Sequence, residues 1–142
     1  MKWLLPIGLA LVASLAFVAC GGGGGKDDSA DKAAIETLIK DLGTALEQKD
    51  PAALLSVFVS TCPYLEQTVN AGVASIQSLD VKVTLEGVDV RNLANDKAEA
   101  LAKGTISVNG QESRLEGDND YIAVAKENGD WKISDCTFLG GA

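Results

Sequence analysis

The stretch VKVTLEGVDV, residues 81–90, alternates apolar and polar side chains, and its apolar set changes parity at Gly87. Alternation with a period of two marks a half-buried strand, because successive side chains point to opposite faces. A parity switch at glycine marks a bulge or a sharp bend in such a strand. Upstream of residue 79 the apolar period is near 3.6, and downstream it is near 2. The chain therefore turns from helices to sheet at this stretch.

Working upstream, Ile35, Leu38, Ile39, Leu42 and Leu46 form one apolar stripe at helical spacing, with Ser29 or Asp31 able to cap the N-terminus. Asp50-Pro51 after Lys49 stops that helix and restarts another, since Asp accepts at the cap and Pro fits the first helical position. The second helix carries Ala53, Leu54, Val57 and Phe58. Thr61-Cys62-Pro63 repeats the punctuation, and a third helix carries Tyr64, Leu65, Val69, Val73 and Ile76.

Working downstream, Asn92 to Lys97 makes a turn, and a strand over roughly 98–108 ends at Asn109-Gly110, a strong hairpin signal because both positions tolerate positive φ. Leu115 gives way across Gly117-Asp118-Asn119 to Ile122 and Val124 on the other parity, which reads as one bent strand. Glu127-Asn128-Gly129-Asp130 turns into a last strand, Trp131 to Cys136. Three helices followed by four antiparallel strands argue an α+β domain whose helices pack on one face of a curled sheet.

The stretch Ala34 to Phe58, with its Lys49-Asp50-Pro51 break, and the closing Gly129-Asp130-Trp131-Lys132-Ile133 hairpin resemble the nuclear transport factor 2-like, cystatin-like superfamily of cone-shaped α+β domains. Many small bacterial lipoproteins of unknown function are similar. The resemblance spans residues 30 to 136. It implies a sheet wrapped round the helices and a pocket at the open end of the cone, which is an enzyme site in some members and a binding or assembly surface in others. The fold alone does not choose among these.

The N-terminus reads as a secretory signal: Met1-Lys2, then an apolar run from Leu4 to Val18 ending in small residues. That run is short for a membrane span, which needs about 20 apolar residues. Phe17-Val18-Ala19-Cys20 resembles the lipobox of bacterial lipoproteins, with Phe17 standing where leucine is usual. The resemblance implies a cut before Cys20 and a diacylglyceryl group on its thiol. A retained anchor and simple secretion after Ser14-Leu15-Ala16 are the alternatives. Gly21 to Gly25 with Lys26-Asp27-Asp28 reads as a flexible tether, and two acyl chains anchor stably where one is marginal. The expected organisation is a leader over 1–19, lipidated Cys20 and tether over 20–29, the α+β domain over 30–139, and a tail over 140–142. The expected location is the extracytoplasmic face of a cell membrane. With Cys20 assigned to lipid, Cys62 and Cys136 remain as a disulfide pair in an oxidising compartment, or as two buried thiols.

Composition narrows the function classes. An apolar fraction of 46% in 142 residues suits one packed domain. The net charge of −8 becomes about −9 without the leader, whose only charge is Lys2. An acidic chain without Lys or Arg clusters is a poor binder of nucleic acid. Absence of histidine removes the commonest general base and metal ligand. The polar groups available to a pocket are Tyr64, Tyr121, Asp118 and Asp120. Packing tyrosines and a solvated bulge at Asp118-Asn119-Asp120 account for them without catalysis or calcium, and no metal or cofactor is expected. The leading expectation is a tethered, non-catalytic domain that binds a small ligand or an envelope protein. The alternatives are a dehydratase- or isomerase-like enzyme using a buried carboxylate and a tyrosine, and an interaction module, such as a homodimer, working through the outer sheet face.

Overall fold

A computed structural model of the chain describes residues 28–117 and 120–137. The leader, Cys20 and the glycine run lie outside the described residues, as do Asp118, Asn119 and the tail.

Helix α1 (Asp28–Gln48) takes in the last two residues of the segment read as tether, and buries Ile35, Leu38, Ile39, Leu42 and Ala45 on one face. Lys49 ends it with a left-handed φ of 55°. The Asp50 carboxylate then accepts from the amides of Ala52 and Ala53 at 3.0 and 3.2 Å, and Pro51 opens α2 (Pro51–Val57). Such a cap contributes about 1 kcal/mol by satisfying otherwise orphaned donors. The third helix, α3 (Leu65–Ile76), starts one residue later than its apolar spacing suggests. Tyr64 sits before it in a left-handed conformation, φ 57°.

Among the described residues the sheet has five strands, β1 (Val81–Ala94), β2 (Lys97–Val108), β3 (Gln111–Arg114), β4 (Ile122–Glu127) and β5 (Asp130–Ile133). Their order is β1-β2-β4-β5, with β3 also paired to β2 and every pairing antiparallel. The one bent strand expected beyond Gly110 is thus two strands. Long β2 offers one edge to both, pairing residues 105–108 with β3 and 97–100 with β4. Three hairpins close with two positive-φ residues each, Asn95-Asp96, Asn109-Gly110 and Asn128-Gly129. This turn matches the right-handed twist of the flanking strands, which is why Asn and Gly recur there.

The parity switch in β1 is a bulge: Leu85 faces Gly104 and Gly87 faces Lys103, leaving Glu86 unpaired. Opposite it, Gly104 has φ 146°, and a Cβ there would lie 2.0 Å from the Thr84 carbonyl oxygen. Only glycine allows the two strands to approach in this way. Val81, Val83 and Leu85 before the bulge and Val88 and Val90 after it therefore all serve the concave face. The core joins that face to α1, α2 and α3 through Leu54, Val57, Phe58, Val69, Val73, Ala98, Ala100, Ile122, Val124, Trp131 and Ile133.

Contacts at the rim fix the helices on the sheet. Phe58 bridges Ile133, and the Val59 amide donates to the Ile133 carbonyl at 2.9 Å. The Glu127 carboxylate accepts from the Ser60 amide and hydroxyl, both at 2.9 Å. A disulfide joins Cys62 to Cys136 beside this seam. At the opposite edge the Val83 amide donates to Glu47 at 2.6 Å. The indole of Trp131 and the ammonium of Lys126 both reach Asp31 at 2.9 Å, holding the start of α1 on the β4–β5 hairpin.

Candidate functional site

A cavity of about 450 Å³ opens between α1 and the curled sheet. Two of its lining residues, Gly43 and Ala102, are small. On β2, Ala98, Ala100 and Ala102 alternate onto the concave face; the first two are buried in the core and the third lines the cavity. On α1, Gly43 lets the helix approach β1, because a Cβ there would stand 3.2 Å from a Val83 methyl. Ile39, Leu42, Leu46, Val83, Leu85, Ile106, Leu115 and Ile122 complete an apolar wall. The volume falls within the range of small-molecule sites, about 300–1,000 Å³.

At the mouth stand Asp120 and Tyr121, just before β4, and Asp135, just after β5. Where β3 has ended and β4 not yet begun, the Gly104 carbonyl accepts from the Leu115 amide at 3.0 Å, and the Gly104 amide donates to the Glu116 carboxylate at 2.9 Å. A side chain thus replaces the missing strand. The Gly104 amide and then the Arg114 guanidinium hold the Glu116 carboxyl down at about 2. Arg114 itself forks onto Glu86 at 3.1 Å and also reaches Glu116. On the other side of the mouth, Ser134 and Asp135 donate their amides to the Ala123 carbonyl. The Asp135 carboxylate accepts from the Thr137 amide and hydroxyl at 3.0 and 2.7 Å, next to the disulfide.

The two tyrosines singled out for the pocket go separate ways. Tyr121 lies at the mouth, but its hydroxyl donates to Asp89 at 2.6 Å and the Arg91 guanidinium stacks on its ring at 3.5 Å. Asp89 and Arg91 alternate with Val88 and Val90, so the phenol is engaged on the convex face rather than inside the cone. The bond to Asp89, with desolvation, raises its pKa. Arg91 is itself paired with Glu99 at 3.0 Å, and the Glu99 pKa is lowered by Arg91 and Asn92. Tyr64 is 79% exposed and lines a different, shallower hollow with Leu55, Ser60 and Cys62. Among the described residues no polar or charged side chain is buried. Asp120 is exposed at the mouth, and Asp118 lies outside the described residues. Asp135, Gly43 and Ala102 escaped the sequence reading. Alternate alanines along β2 mark its concave face, but nothing local in the sequence separates Ala102, which lines the cavity, from Ala98 and Ala100, which are packed in the core.

Residues 37–139 match the family described as the C-terminal domain of the anti-sigma-I factor RsgI9. A search of curated proteins finds no match. Among solved structures, the chain is similar to a cystatin-like protein of unknown function from Nostoc punctiforme (17% identity, TM-score 0.59, covering 74% of this chain and 86% of that one). It is also similar to a Mycobacterium tuberculosis protein of unknown function (14%, 0.60, covering 80% and 74%). A third similar structure, from Novosphingobium aromaticivorans, is named for scytalone dehydratase (15%, 0.55, covering 75% and 81%). At these identities the likeness establishes the cystatin-like α+β fold that the element order implied.

Proposed function

The chain belongs to the family of the C-terminal domain of the anti-sigma-I factor RsgI9, and from that premise we propose that it is an exported, lipid-anchored protein whose domain holds a small, largely apolar ligand in the cone without transforming it. The observation that carries this reading is the cavity of about 450 Å³ with its apolar wall. In RsgI9 a domain of this family ends an anti-sigma factor; here it follows a leader, Cys20 and a glycine tether. A module used behind different N-terminal segments suits recognition. Anchoring rests on the lipobox resemblance at Phe17-Val18-Ala19-Cys20, and the cell envelope is the corresponding location.

The enzymatic alternative needs a desolvated carboxylate and a tyrosine converging within the cone. Against it stands the Tyr121 hydroxyl, which is occupied by Asp89. A neutral solvatochromic dye such as Nile red tests the binding reading. Its emission should shift to the blue with the native chain, and Ala102→Phe, which fills the cavity from β2, should abolish the shift while leaving the circular dichroism spectrum unchanged. Equal dye binding by the two proteins overturns the assignment.

A further inference from the structure

We infer that the ligand of this cavity is an amphiphile with an apolar body and a cationic head group, an inference that rests on the binding reading above. The side chains that α1, β1 and β2 present to the cavity are apolar, so this wall selects for hydrocarbon or aromatic surface. Among the described residues that line the cavity, the charged side chains are the carboxylates of Asp120 and Asp135, from two different connections. Among the described residues neither forms an ion pair with Lys or Arg.

The guanidinium groups that flank the mouth are committed elsewhere. Arg91 is paired with Glu99 and lies on the Tyr121 ring, and Arg114 is paired with Glu86 and Glu116. The Asp135 carboxylate is held by Thr137, and its backbone is tied to Ala123. A head group leaving the apolar wall therefore meets negative charge that no described Lys or Arg pairs with. A cation gains from this, a neutral head is indifferent, and an anion is repelled, the more so from a chain of net charge −8.

Three probes sharing one apolar body separate the cases: 4-phenylbutyltrimethylammonium, 4-phenylbutanol and 4-phenylbutanesulfonate. Binding is measured by equilibrium dialysis against the full chain in zwitterionic nanodiscs, with empty nanodiscs as the blank. The ammonium should bind roughly tenfold more tightly than the sulfonate at low salt, with the alcohol between them. The preference should shrink as salt is raised. The Asp120→Asn/Asp135→Asn double variant keeps the shapes, and Asn can still accept from Thr137; it should bring the three affinities together.

If the three probes bind alike and Ala102→Phe blocks all of them, the cationic inference falls and the cavity reading stands. If the ammonium preference survives the double variant, the inference also falls, because the whole chain's charge then accounts for it. If no probe binds above the blank, or binding is indifferent to Ala102→Phe, both fall.

Discussion

Reduction of the Cys62–Cys136 bridge will destabilise the domain chiefly by freeing its unfolded chain. The bridged residues are separated by 74 positions, and closing a loop of that length removes unfolded-state entropy equivalent to about 4.5 kcal/mol at 25 °C. In the folded state the same seam is held without the bridge by the Phe58–Ile133 pairing, the Val59 amide and the Glu127 carboxylate on Ser60. The native fold should therefore survive reduction and unfold earlier. With a urea dependence of about 2 kcal/mol per molar, the midpoint by circular dichroism should fall by roughly 2 M. The melting temperature should fall by roughly 20 °C. Cys62→Ala/Cys136→Ala should reproduce both shifts in the absence of reductant. Equal midpoints before and after reduction, with thiol counting to prove that the bridge was open, would refute the loop-closure argument. Loss of hydrogen-exchange protection at the Val59 amide in the reduced native protein would refute the claim that the seam holds itself.

Gly104→Ala should cost roughly 3 kcal/mol, because it combines a backbone conformation strained for any side chain with a clash against the Thr84 carbonyl; a urea midpoint within error of the native value counts against the bulge geometry. Glu116 is held at about 2 in the fold, below its unfolded value. Its contribution is therefore fully present above the ordinary carboxylate range near pH 4.3 and is lost as the pH falls towards 2. Acid titrations of native protein and Glu116→Gln should diverge in slope only within that window, and parallel curves would sink the assignment. Cys20→Ser should move the protein from the membrane to the soluble fraction, and a variant that still sediments with membranes removes the lipid from the proposal.

Local chemistry made much of the fold legible. Asp50-Pro51 and the Asn109-Gly110 and Asn128-Gly129 turns are spelled by residues whose side chains or φ preferences act within a few positions, and each stands where the sequence puts it. The parity switch at Gly87 announced the bulge, although nothing local in the sequence marks Gly104 as the other half of the device. The break between β3 and β4 was read as a bend because residues 115–121 carry no period that distinguishes a crossing loop from a kinked strand. Site residues were harder for a related reason. Which way the Tyr121 hydroxyl turns depends on Asp89, thirty-two positions away, and the convergence of Asp120 with Asp135 depends on two connections meeting. Tyr64 was assigned to a helix face by spacing alone, whereas the chain reverses through it in a left-handed step and leaves the ring in solvent.

The treatment of the sheet borders has a consequence for how copies of this protein coexist. An unguarded strand margin recruits the next molecule by extending the hydrogen-bond ladder. Here Glu47 occupies an amide of β1, Phe58 and Val59 lie along β5, and β3 shows four exposed residues, two of them charged, Gln111-Glu112-Ser113-Arg114. Molecules confined to one surface, as proposed, would meet at high local concentration, where templated stacking is most dangerous. Each of these features works against ladder extension at the position it occupies.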